Sequence, residues 1–206
     1  MNELNKLNEL LISNKIKIMN KNNKPKKIKF NNHPEFTPNM TPKQILQSGA
    51  FGGTYFRKIR SSVTGKTYDN AWKEFPKNWF EDLDIKDKIT RKWDDYSIAV
   101  NKYKVKVGTT LEFWEDKGWI VEQDPFGWFQ WYCRFYLGRR SSDDERQIGR
   151  YNAMRRFKGP LMKAIRDAGA KYDDYTISPG RRQTLLHWGY ELTEKDYMEW
   201  LNNNKS

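Results

Sequence analysis

"GWFQWYCRFYLG", residues 127 to 138, decides how the rest of the chain is read. Between its two glycines stand ten residues, eight of them aromatic or otherwise apolar. At helical spacing Phe129, Cys133 and Tyr136 continue one side from Phe126, while Trp128, Trp131 and Phe135 take another. A helix apolar on most of its sides belongs at the buried centre of a domain. The stretch therefore predicts a central helix that Gly138 ends. Cys133, the one cysteine, reads as a buried inert thiol, and its solitude excludes an internal disulfide framework and a Cys-rich zinc site.

Outward from this helix the C-terminal half is punctuated as further helices. Ser142 with Glu145 has capping-box spacing ahead of "DDERQIGRYNAMRRF", which Gly159-Pro160 should stop. "PLMKAIRDAG" then runs to Gly169, Ser178-Pro179 launches "GRRQTLLHWGYEL", and Thr193 caps "EKDYMEWL". Toward the N-terminus, Thr41, Pro42 and Gly49 mark a short helix, and Gly52-Gly53 let the chain turn. Pro76 introduces a short helix in "FPKNWFEDL", "YKVKV" (103–107) alternates like a strand, and Thr109 with Glu112 caps a helix ending at Gly118. The expected fold is mainly α: one compact helical domain over residues 35–206, with two or three short strands in its N-terminal half.

"RSSVTGKT", residues 60–67, ends like a phosphate-binding loop. That loop needs a first glycine where this chain has Arg60, and a helix where it has Tyr68-Asp69-Asn70. The stretch is read as a tight turn between two short extended segments, without a nucleotide cofactor.

Composition points to a partner. The 206 residues carry a net charge of +12, with 15 % aromatic residues and nine Trp. The pI is about 9.6 and the mean hydropathy −0.99. A compact core of large rings under a strongly basic surface favours a polyanion, nucleic acid (DNA before RNA) ahead of an acidic membrane surface. No apolar run approaches membrane-spanning length and no secretory segment opens the chain, so a reducing intracellular compartment, cytoplasm or nucleus, is expected. Residues 1–34 hold eight Lys, two Glu and nine Asn and read as a disordered basic tail. As a function the tail suggests a phosphate-gripping arm or an import-like patch; the plain alternative is Asn/Lys drift.

Residues 128–182 hold thirteen Lys/Arg against six Asp/Glu, with Arg dominant. Arginine's planar fork pairs with phosphate through two hydrogen bonds and stacks on bases. Arg139 and Arg140 leave the aromatic helix beside a helix start; Arg146 and Arg150 lie one turn apart, with Arg155 and Arg156 further along. Such a row tracks a phosphate backbone. The competing reading pairs it with Asp143, Asp144 and Glu145 and lays its stems over the core. Arg181 and Arg182 open the helix after "SPG", a place for phosphate contact. Trp119 and Trp128 flank the "EQDPFG" turn and are the first candidates for a stacking platform.

Catalytic chemistry is less marked. Two histidines build no metal site, and neither the D-x-D of Asp82 and Asp84 nor the E-x-K at Glu115 has the context a metal or nuclease site needs. No metal or cofactor is expected. The alternative to a binding protein is a glycosylase- or hydrolase-type enzyme on nucleic acid, with a base drawn from Asp82, Asp84, Glu115, Asp124 or His187 in an aromatic pocket.

The blocks "TPKQILQSGAFGGTYFRKIRSSVTGKTY", "FPKNWF", "FWEDKGWI", "QDPFGWFQWYCRFYLGRRSSDDERQI" and "RQTLLHWGYEL", over roughly residues 36–193, resemble an uncharacterised family of eukaryotes, bacteria and large DNA viruses. The resemblance implies that the tail lies outside the shared domain and that "VTGKTY" is the family's own turn. For a viral member it implies a viral factory or virion. The family has no assigned activity, so no catalytic residue is carried over.

Overall fold

A computed structural model describes residues 28–204. Its centre is the aromatic helix, Trp128–Tyr136, here α4. Trp131, Tyr132, Cys133 and Phe135 are fully buried, as the run of apolar residues predicts. The buried indole and phenol tips of Trp128, Trp131 and Tyr132 on α4 all find partners, as buried hydrogen-bonding groups must. Trp131 Nε1–H donates to the Asp144 carboxylate (2.8 Å), Trp128 Nε1–H to the Gln147 carbonyl (3.3 Å) and Tyr132 O–H to the Met40 carbonyl (2.8 Å). The Tyr55 hydroxyl accepts from Gln130 N–H and donates to the Phe126 carbonyl, closing the helix start.

The elements before α4 are short, and most helices have local reasons to begin. Helix α1, Pro42–Ser48, opens on a full capping box: Thr41 Oγ1 accepts from Gln44 N–H and Gln44 Oε1 from Thr41 N–H. Strands β1 (Ile59–Arg60) and β2 (Thr67–Tyr68) pair antiparallel, Ile59 opposite Tyr68. This hairpin is the tight turn read from "VTGKT". Helix α2, Ile85–Lys88, is capped by Asp84, and α3, Leu111–Asp116, by Thr110. The cap of α3 thus falls on the second of two adjacent threonines, not on Thr109. Single 3₁₀ turns fill the rest, including Lys77–Trp79 behind Pro76.

"YKVKV" forms no strand; among the described residues β1 and β2 make the one sheet. Its alternation is real, with Tyr103 buried, Val105 and Val107 half-buried and both lysines exposed, yet no neighbouring strand is there to pair with it.

After α4 come α5 (Asp144–Met154), a 3₁₀ turn (Arg155–Phe157), α6 (Lys158–Asp167), α7 (Pro179–His187) and α8 (Glu194–Asn203). Two details correct the sequence reading. The Ser142–Glu145 box is not formed; Asp144 instead accepts from Ser141 N–H (3.0 Å) and the Ser141 hydroxyl (2.8 Å). Gly159-Pro160 does not separate two helices but lies in the first turn of α6, where a missing N–H removes no helical bond.

Two apolar clusters result. The larger surrounds α4; the smaller joins Leu161, Met162 and Ile165 of α6 to Leu185, Tyr190, Leu192 and Tyr197. Helix α7 serves both, with Leu186 in the first and Leu185 in the second. The larger cluster also moves the domain start upstream of residue 35. Phe30 is buried, stacked on Phe36 (5.2 Å between centroids) and edge-on to Phe135 (4.9 Å). The half-buried Ile28 packs against it too, so a stretch that composition assigns to the tail holds one core residue and a neighbour packed on the core. The rest of the expected tail, residues 1–27, lies outside the described residues.

One long excursion, residues 85–108, is held to the body by main chain. Lys102 N–H donates to the Gly49 carbonyl (2.9 Å) and Arg91 N–H to the Gly53 carbonyl (2.9 Å). Both glycines have positive φ, and a Cβ would stand 2.1 Å from the Val100 carbonyl at Gly49 and 2.3 Å from the Asp87 carbonyl at Gly53. Only glycine lets the two backbones lie this close.

Candidate nucleic-acid interface

A cavity of about 530 Å³ opens between this excursion, the turn before α4, and helices α5 and α7. Its walls are largely aromatic, including Phe51, Phe129, Trp93 and Trp188. Trp119, 39 % exposed, lies where the lining meets solvent and packs edge-on against Phe113 (5.7 Å).

Three arginines line the cavity, and two of them, Arg150 and Arg57, are half-buried among its rings. Arg150 stands between two indoles, its guanidinium 5.2 Å from the Trp119 ring and 5.4 Å from the Trp188 ring. Its partners are neutral: the Gln147 side-chain oxygen (3.1 Å) and the Trp119 carbonyl (3.4 Å). Desolvation first, and Arg146 nearby second, push its pKa down to about 10. Arg57 stacks over Trp93 (5.4 Å), donates to the Thr54 carbonyl (3.2 Å) and is likewise lowered by burial. Among the described residues neither is hydrogen-bonded or ion-paired to a carboxylate, although Asp143 near Arg150 and Glu112 near Arg57 offset part of the lowering; no Asp or Glu lines the cavity.

His187 forms part of the floor. It is 8 % exposed and stacks on Phe51 at 4.0 Å. Its Nε2 accepts from Phe51 N–H (2.9 Å), with the Gln183 amide nitrogen 3.0 Å away. The neutral ring therefore carries its proton on Nδ1, which has no partner among the described residues. Burial pushes the pKa of His187 down to about 3. The unfolded chain, with an ordinary histidine near 6.5, binds a proton in the acid range that the folded chain refuses. Stability from this residue is thus fully present above about pH 6.5 and is lost as the pH falls toward 3, by about 1.4 kcal/mol per unit. Urea titrations across that range should show a shallower acid loss in His187→Gln than in the native chain. Equal slopes would mean that His187 is hydrated.

The other arginines divide. Arg139 faces inward, its two Nη donating to the fully buried Asp124 at 2.8 and 2.6 Å. Arg134 shares that carboxylate (2.9 Å) and also binds Glu74. Arg140 lies over the Phe135 ring at 3.9 Å and donates to the Phe135 carbonyl. Arg146 pairs with Asp143 (2.5 Å). Arg155 and Arg156 are exposed, and Arg156 lines the cavity with Arg150. Arg181 is exposed at the start of α7, whereas Arg182 is 3 % exposed and donates to the carbonyls of Ile177, Tyr172 and Asp174.

Arg182 is therefore a tie for the 172–178 loop and not a phosphate contact, and Arg139 is an internal ion-pair partner. Trp128 is corrected too. At 6 % exposure, with its ring 4.5 Å from Trp188, it is a cavity wall and not an exposed platform. Of the residues singled out in the sequence, the structure brings together Trp119, Trp128, Arg150, Arg156 and His187. Sequence reading missed Arg57, whose only signal is a cation directly after the aromatic pair Tyr55-Phe56 in "TYFRKI".

The carboxylate candidates are used elsewhere. Glu115 accepts from the Ser61 hydroxyl (2.8 Å), Ser62 N–H (3.0 Å) and the Ser62 hydroxyl (2.7 Å), Asp84 caps α2, and Asp82 is exposed. Among the described residues no group of three or more His, Cys, Asp or Glu is placed to hold a metal ion, and no helix is long and apolar enough to cross a membrane. Burial raises the Cys133 thiol well above its ordinary range, which makes it a poor nucleophile. No family model, curated protein or solved structure matches the chain.

Proposed function

We propose that this chain is a nucleic-acid-binding protein, of DNA before RNA, that grips phosphates with the arginines of α5 and the turn after it. The observation that carries the reading is Arg150: a guanidinium with no carboxylate in hydrogen-bond reach among the described residues, held between Trp119 and Trp188 beside an aromatic cavity. A charge kept in partly apolar surroundings without a counter-ion is costly unless an anion arrives to meet it. The exposed Arg155 and Arg156 extend the same cationic edge, and Arg181 adds a further exposed cation. The basic N-terminal residues belong to the proposal as added charge. The cavity's want of a carboxylate favours binding over the enzymatic alternative with a carboxylate base.

If about six phosphates are neutralised, log affinity for duplex DNA should fall with log salt at a slope near −5. Arg150→Gln and Arg156→Gln should each reduce that slope by about 1. A flat salt response, or no retention on DNA at low salt, would overturn the proposal.

A further inference from the structure

The cavity holds more than a phosphate grip requires. A backbone-tracking surface needs exposed cations only, yet here two arginines and a buried histidine edge converge on an aromatic chamber. We infer that this chamber is a nucleobase pocket: it takes one unstacked base against its aromatic walls, with the attached phosphate on Arg57 or Arg150. The inference rests on the nucleic-acid reading above for the source of that base, which is either a nucleotide within a strand or a free mononucleotide.

Four observations converge. The volume, about 530 Å³, falls within the range of pockets that enclose small molecules. The walls offer ring faces, on which any base stacks. His187 presents a polar edge inside the apolar lining: with Nε2 occupied by Phe51 N–H, its Nδ1–H has no acceptor among the described residues, and a base carbonyl or ring nitrogen supplies one. A straight-chain acid would answer the two guanidiniums but leave that N–H unmet. Finally, Arg57 and Arg150 each rest on an indole with no carboxylate in hydrogen-bond reach among the described residues, so a ligand joining a planar ring to an anion gives one of them a bonded counter-ion.

The test uses the full chain and a short single-stranded oligonucleotide carrying one 5-iodouracil, a base that crosslinks to aromatic side chains on irradiation. The adduct is mapped by mass spectrometry and the bound fraction is scored separately. In parallel, the anisotropy of 2-aminopurine mononucleotide is followed on titration with protein. Ala153→Phe narrows the chamber while leaving every charge in place, because Ala153 lines it without a charge of its own. The expected result is an adduct on Trp93, Trp119 or another lining aromatic, lost in Ala153→Phe at protein concentrations that saturate the strand. A strand that binds but crosslinks only outside the cavity overturns the pocket and leaves the phosphate-binding reading standing. No strand binding, with mononucleotide anisotropy that rises and is lost in Ala153→Phe, keeps the pocket as a free-nucleotide site and overturns the strand reading. No response from either probe overturns both.

Discussion

Trp131→Ala is expected to cost about 3–5 kcal/mol of folding stability, a large part of the roughly 5–15 kcal/mol margin of a domain. Two losses combine. The indole is fully buried, 4.8 Å from Phe135 and 5.4 Å from Phe36, so its removal opens a void in a close-packed site. Its Nε1–H is also one of three donors on the buried Asp144 carboxylate, which holds the start of α5. Trp131→Phe refills most of the void but still withdraws the donor, and should cost about 1–3 kcal/mol. Tyr136, on the same helix but exposed, is the control: Tyr136→Ala should shift the urea midpoint far less. A Trp131→Ala protein that melts like the native chain would mean that α4 is not the core.

Asp124→Ala should be comparably damaging, by about 3–5 kcal/mol. Its carboxylate is fully buried and receives Arg134 and Arg139 together. Without it Arg134 retains Glu74, but the Arg139 guanidinium faces Arg134 across a buried gap with no anion between them. Arg139→Ala should therefore lower the melting temperature, where a purely surface arginine would leave it unchanged. Salt-dependent DNA retention measured on the same variant separates the two roles. Unchanged melting of Asp124→Ala would show a hydrated cluster.

The parts of the fold legible in the sequence are those decided by neighbours a few residues apart. Helix α4 announces itself because almost every side of it is apolar, and α1 and α8 because Thr41 and Thr193 accept from amides three residues on. The hairpin at 59–68 is legible because a phosphate loop would need a glycine where Arg60 stands. What the sequence conceals is set by distant partners. Arg139 and Arg150 look alike in a count of charges; one meets a buried aspartate and the other two indoles. The cavity draws on residues near 57, 93, 119, 150 and 187, which no local period connects. Phe30 was masked by the lysines and asparagines around it.

The wall that carries Trp93 is fastened by backbone amides to the Gly49 and Gly53 carbonyls and by a few buried side chains, chiefly Asn101, which accepts from Gly52 N–H, and Ile89 in the core. Trp93 and Lys106 take no part in that fastening and can be exchanged at little cost to the frame, while the two glycines and Asn101 cannot. In a lineage of such proteins, or in a library built on this one, ligand preference would diversify at Trp93 and Lys106 and stay fixed at Asn101, Tyr103 and around α4.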